Sequence, residues 1–186
     1  YYIYSFKFLT NDFFYIVNLV IFSQIILNTA SVYFFHKIVE MFEKNRPKAL
    51  FITAIFSFFP INIYASSQIS SATLQILLSL IFFYYLLLIL KKNKFMYILI
   101  FSVIGGLLIL IRGEFLILYF FTLLYFFIFY KRQFKLILVS LSLTLLTISP
   151  YLIRNYLYFD NLTLTKSFGY NLLKGNNPSF KVEGDI

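Results

Sequence analysis

The stretch Ala49–Leu90, ALFITAIFSFFPINIYASSQISSATLQILLSLIFFYYLLLIL, runs for 42 residues without a charged side chain. A bilayer core about 30 Å thick is crossed by ~20 helical residues, within a range of roughly 17–25. The stretch is therefore long enough for two crossings, 49–66 and 71–90, with a turn at Pro60–Ser71, where Pro, Asn and Ser gather. The same rule applied outward gives further uncharged or nearly uncharged runs at 13–35, 95–111, 115–130 and 136–154. The expectation is an all-α, polytopic bundle of about six transmembrane helices over residues 1–155. An extracytoplasmic loop or domain begins at 156–186.

Helices are required because lipid offers no partner to backbone N–H and C=O groups. The apolar–polar alternation of a barrel strand is absent from these runs. Composition agrees: 61% of the 186 residues are hydrophobic, 23% aromatic and 12% charged. A chain of this size cannot hide so much apolar surface in one water-soluble core.

The formal charge of +9 is distributed in short clusters between the apolar runs, not on one patch, which argues against nucleic acid. Lys37, Lys44, Arg46 and Lys48 fall in one loop, Lys91, Lys92 and Lys94 in the next on that side, and Lys131, Arg132 and Lys135 in the third. These hold ten of the 16 basic residues, and short basic loops stay in the cytoplasm. Both ends of the sequence, the turn after Pro60 and the Arg112–Glu114 turn then face outward. The expected location is a bacterial inner membrane. The sequence opens on Tyr1 and stops at Ile186 in a polar segment, so it reads as an internal piece of a longer protein. There is no Cys, hence no disulfide framework or thiolate metal site, and no metal-ligand spacing is present. The single His36, beside Lys37, reads as a helix-end residue.

Three places carry candidate chemistry. Arg112 and Glu114 flank a turn at the outer interface; a charge at membrane depth marks a functional site by default, although an Arg there also snorkels to headgroups. Arg154 ends the sixth run, four residues after Pro150, beside Asn155. The chain prefers Lys to Arg by twelve to four, yet two of the four Arg lie at outer helix ends. Arg offers a planar fork to phosphate that Lys lacks; the alternative is an interfacial anchor. The tail GYNLLKGNNP, Gly169–Pro178, brings Asn171, Asn176 and Asn177 together with two glycines. Asn carries both donor and acceptor, which suits sugar hydroxyls or phosphate oxygens, and the same residues also make ordinary turns. Gly105–Gly106, inside an apolar run, reads as a close helix contact or kink.

The order of these features resembles that of bacterial membrane glycosyltransferases of family 39, in the GT-C superfamily, relatives of the protein O-mannosyltransferases and of the lipid A aminoarabinose transferase. The resemblance rests on Phe56–Leu80, on GGLLILIRGEFLIL at Gly105–Leu118, and above all on Pro150, Arg154-Asn155, Gly169-Tyr170-Asn171 and Gly175-Asn176-Asn177-Pro178. It implies an enzyme that transfers a sugar from a polyprenyl-phosphate donor to a lipid, glycan or protein acceptor at the exterior face. Arg112 and Arg154 would then serve the donor phosphate, with Glu114, Asn155 and the tail asparagines as further substrate-binding candidates. The family's principal catalytic Asp is expected upstream of Tyr1. Many relatives carry an acid where this chain has Ala72. No cofactor is identified, a divalent metal is left open, and the partners implied are the donor, the acceptor and membrane lipids, without nucleic acid. The alternative from another class is a polytopic transporter or flippase subunit; a purely structural membrane subunit is the third.

Overall fold

The computed structural model describes residues 12–92, 94–129 and 134–164. Among these residues the chain forms seven helices and no strand: α1 (Phe13–Phe42), α2 (Arg46–Ser57), α3 (Pro60–Ser67), α4 (Ala72–Lys92), α5 (Phe95–Ile111), α6 (Phe115–Phe129) and α7 (Phe134–Phe159).

Local chemistry sets the helix ends. Asp12 caps α1, its carboxylate accepting from the Phe14 N–H at 2.9 Å, and Asn45 caps α2 through the Lys48 N–H at 3.3 Å. Pro60 has no N–H to give, so the helix begun at Arg46 breaks at Phe58–Phe59 and restarts as α3, bent by 47°. Most of the turn expected at Pro60–Ser71 is thus helix, and the reversal falls on Gln68–Ser71. Pro150, by contrast, lies inside α7. The Leu146 carbonyl that loses its i+4 donor there is supplied by the Ser149 hydroxyl at 2.9 Å. That local replacement lets α7 run on to Phe159, five residues past the end expected at 154. It ends at Asp160, whose φ of 49° turns the chain away while its N–H still bonds the Tyr156 carbonyl.

By length and apolarity, α1, α4 and α7 can each cross a membrane, and α2–α3 makes a fourth span if the bent pair counts as one. α5 and α6 are apolar but shorter, at 17 and 15 residues. Three such helices, with Phe120, Phe121, Phe127, Leu145 and Leu157 exposed on the outer surface, mark an integral membrane protein.

Side-chain pairs fix the directions. His36 meets Thr53 and Phe35 stacks on Phe56, so α1 and α2 are antiparallel. Gln24 bonds Ser70 near the start of α4 and Met41 bonds Lys91 near its end, so α1 and α4 are parallel. Phe82 stacks on Phe101 at 4.5 Å, in the antiparallel pair α4–α5. The core lies among α4–α7, around Phe82, Phe101, Leu108, Tyr119 and Phe126.

Candidate functional site

The site is set by how α5 and α7 approach. At Gly106 a Cβ would fall 2.8 Å from Thr147 Cβ, and at Gly105 2.8 Å from the Tyr119 ring, so only glycine permits the packing seen. The close contact expected at this pair is present, and it is the small-residue solution that membrane helices favour. One turn away, Ser102 Oγ lies 2.8 Å from Ser140 Oγ, and Thr144 Oγ1 donates to the Ser102 carbonyl at 3.0 Å. Tyr119 OH joins them, 2.7 Å from Ser140 Oγ and 2.6 Å from Thr144 Oγ1. These four buried hydroxyls tie α5, α6 and α7 together without a charge. A cavity of about 20 Å³, lined by Ile98, Phe101, Leu123, Phe126 and Ser140 among others, adjoins them. It has room for about one water.

The pairs 102–140 and 106–147 both advance in the same direction, so α5 and α7 are parallel and finish at the same end. Arg112 is six residues beyond Gly106 and Arg154 seven beyond Thr147, rises of about 9 and 10 Å at 1.5 Å per residue. The two arginines therefore share one level. Arg154 also continues the heptad Ser140–Thr147–Arg154, the stripe that α7 lays against α5; successive members drift by only ~20°. α5 stops at Ile111, which leaves Arg154 exposed on that stripe.

Arg112 is exposed at the C-terminal end of α5, its N–H bonded to the Leu108 carbonyl at 2.9 Å. Glu114, also exposed, follows in a turn closed by the Phe115 N–H on the Arg112 carbonyl at 3.1 Å. The two do not form an ion pair; an ion pair among the described residues joins Glu40 to Lys37 at 2.9 Å, and His36 Nε2 lies 3.2 Å from the same carboxylate. Asn155 is buried, and its amide donates to the Thr163 carbonyl at 2.8 Å, which folds residues 160–164 back along α7. Leu164 thereby reaches the core. Asn155 is thus spent on holding the chain after α7. Asn171, Asn176 and Asn177 lie outside the described residues.

Ala72, the first residue of α4, joins the same level. From the Phe82–Phe101 stack it lies ten residues back along α4, and Arg112 lies eleven on along α5, about 15 and 16 Å respectively. The basic clusters of the first two loops lie at the opposite end, where Lys91 Nζ donates to the Met41 carbonyl at 3.2 Å.

Two groups of polar residues were not singled out by sequence: the hydroxyl set Ser102, Tyr119, Ser140 and Thr144, and Gln24. The first is legible afterwards as Ser and Thr at i, i+4 and i+7 on α7 facing Ser102 and Gly106 on α5. The second is an amide in an uncharged run. Among the described residues no group of His, Asp and Glu is arranged to hold a metal ion. Compared with protein-family models, with curated proteins and with solved structures, the chain finds no match.

Proposed function

We propose that the chain is the membrane part of a glycosyltransferase that moves a sugar from a polyprenyl phosphate to an acceptor hydroxyl at the outer face. The observation that carries the reading is the common level of Arg112 and Arg154 on adjacent parallel helices, at the end away from the Lys91 cluster. Two guanidinium forks at one height suit a lipid phosphate lying at the headgroup boundary. In the transfer the acceptor oxygen bonds to the anomeric carbon, and the bond from that carbon to phosphate oxygen breaks. The polyprenyl phosphate leaves with the electron pair, and the acceptor's proton goes to a carboxylate. By the family resemblance, that base belongs to the first exterior loop of the family's enzymes. The arginines act on the departing charge, where preorganised donors have their largest effect.

The proposal includes six crossings, with α2–α3 as one bent span. α6 is about 22 Å long at 1.5 Å per residue, shorter than the ~30 Å core, a mismatch met by local thinning of the bilayer. The outward orientation of the arginine end follows from the basic loops.

The test is transfer by the intact protein in membranes. Arg154→Ala and Arg112→Ala each leave insertion unchanged and lower turnover at limiting and saturating donor. Unchanged turnover at both concentrations removes the residue concerned as a phosphate contact. One observation favours a second reading, a transporter or flippase subunit: the 47° break between α2 and α3, since broken helices line substrate paths in transporters. Vesicle uptake or lipid flipping that persists in both arginine variants selects that reading.

A further inference from the structure

Among the described residues Gln24 is the largest amide side chain sealed in the bundle. It is 1% exposed, and its Nε2 donates to the Ser70 carbonyl at 3.0 Å. A carbonyl only accepts, so this bond fixes the amide's orientation and leaves Oε1 as the acceptor. Oε1 is buried and has no hydrogen-bond partner. A buried acceptor left without a donor is costly.

The surroundings show what would satisfy it. α1, α3 and α4 meet in pairs at this corner. Asn62, Ala65 and Ser66 make the buried face of α3, and Thr73 Oγ1 donates to the Ala65 carbonyl at 3.1 Å, presenting that face to α4. The Thr73 and Ser66 hydroxyls have spent their only protons, on Ala65 and on Ile63. Asn62 Nδ2 donates to the Phe56 carbonyl at 3.1 Å. The donor atoms thus have partners within the chain, whereas Gln24 Oε1 has none. There is no charged side chain between Asp12 and Lys37, or from Ala49 to Leu90, to neutralise an ionic guest.

The corner also has a part held by few bonds. α3 is eight residues long, hinges from α2 at the 47° break and starts at Phe59 without a side-chain cap. The connection Gln68–Ser71 that follows is exposed, and its Ser70 carbonyl is tied to α1 by the Gln24 amide. We infer that this corner is a closed binding site for an uncharged, hydroxyl-bearing molecule of the sugar or polyol class. Its O–H is received by Gln24 Oε1 when the Gln68–Ser71 connection lifts away. The choice of a sugar as the hydroxyl bearer rests on the transferase reading. Gln24, through Ser70, lies close to the start of α4 and so to the level of Ala72 and Arg112.

The experiment measures binding alone, without transfer, on the intact protein in nanodiscs. The probe is methyl α-D-glucopyranoside, and the readouts are the thermal midpoint and backbone hydrogen exchange over residues 68–75. The expected result is a saturable rise in midpoint, with exchange at the connection changing over the same concentration range. Gln24→Leu weakens the probe by roughly 2- to 10-fold, the worth of one uncharged hydrogen bond. Gln24→Asn, which keeps the amide but shortens its reach, weakens it too and serves if the leucine variant does not fold. Leu145→Ala, on the exposed face of α7, leaves binding unchanged. The inference is overturned by an unsaturable or absent response in the unmodified protein, by equal responses in the Gln24 variants, or by saturation with sodium chloride but not choline chloride. The last result would make the guest a cation. Because no transfer is read, a negative result here leaves the arginine reading intact, and active Arg154→Ala protein leaves this inference intact.

Discussion

Gly106→Ala tests whether the α5–α7 approach holds the bundle together. The added Cβ would sit 2.8 Å from Thr147 Cβ, 2.9 Å from its Cγ2 and 3.3 Å from the Thr144 carbonyl oxygen. Carbon atoms prefer about 3.5–4.0 Å, so the helices must part by roughly 0.7–1.2 Å. Thr147 cannot swing aside cheaply, because it is β-branched and its hydroxyl already donates to the Leu143 carbonyl at 2.8 Å. A separation of that size stretches the Ser102–Ser140 and Thr144–Ser102 bonds, now 2.8 and 3.0 Å, to or beyond useful range. Overpacking costs about 1–3 kcal/mol, and the two interhelical bonds about 0.6 kcal/mol each in a bilayer. Against this, Ala is about 1 kcal/mol better than Gly within a helix. The balance is a destabilisation of about 2 kcal/mol, close to 30-fold in the folded-to-unfolded ratio. Detergent-driven unfolding in mixed micelles, followed by circular dichroism, reads it as an earlier midpoint. Adding Thr147→Gly removes the clashing carbons and recovers part of the loss. A Gly106→Ala protein that unfolds at or beyond the unmodified midpoint refutes the argument, since helix propensity would then outweigh packing.

Ser149→Ala removes the hydroxyl that serves the Leu146 carbonyl opposite Pro150; the expected loss is about 1 kcal/mol, and the same substitution in a Pro150→Ala background costs less, as a double-mutant cycle will show. Asn155→Leu releases the Thr163 carbonyl, so amides of residues 160–164 exchange faster while those of α5 do not; equal rates would mean the segment is held by Leu164 alone. His36 is the sole histidine, with Nε2 3.2 Å from Glu40 Oε1 and Nδ1 2.9 Å from Thr53 Oγ1. A carboxylate only accepts, so a neutral ring carries its proton on Nε2, and the Thr53 hydroxyl, 2.8 Å from the Ala49 carbonyl, turns from it to donate to Nδ1. Nitrogen-15 spectra of the single ring at high pH are expected to show the Nε2–H tautomer, and a ring protonated on Nδ1 refutes the contact.

What the sequence made legible followed from single-residue rules, and what it hid followed from contacts. The absence of charge from Ala49 to Leu90 announces helices in lipid, and the ends of α4 and α5 fall where Lys91 and Arg112 put them. The break at Pro60 was legible as a break, but not as a short helix, because propensity does not say whether a chain restarts after a proline. Pro150 did not end the run expected to reach 154, and the helix goes further still: the missing N–H is compensated by Ser149, one residue away, so α7 continues to Phe159 and Asn155 becomes a buried clamp. Gly105–Gly106 announced a close contact but not its partner; Thr147 and Tyr119 are 41 and 14 residues away from the glycines they face. Gln24 was passed over because one amide in an apolar run gives no sign of its partner until the neighbouring helices are in place.

The interior and the rim of this bundle use different chemistry, and the difference bears on what the arginines do. Inside, α5, α6 and α7 are joined by hydroxyls and glycine, which cost little to bury because each hydroxyl finds a partner within the chain. Among the described residues charge is confined to the helix ends and loops, and in the loops around Lys44 and Lys91, expected to face inward, Lys predominates. A lysine there needs only to reach water, and a flexible ammonium does so readily. At the other end Arg112 and Arg154 share a level on adjacent helices. If their task were anchoring, lysine would serve as well, since both snorkel and both are cationic. If their task is a phosphate, the planar fork matters and lysine offers only a point charge. Arg154→Lys is therefore the sharper companion to the alanine variant: it keeps charge, insertion and orientation. The expected outcome is turnover lowered by about tenfold, the loss of one charge-assisted hydrogen bond of roughly 1.5 kcal/mol. Transfer by Arg154→Lys at the unmodified rate, with Arg154→Ala impaired, would reduce the residue's role to that of a positive charge at the membrane surface.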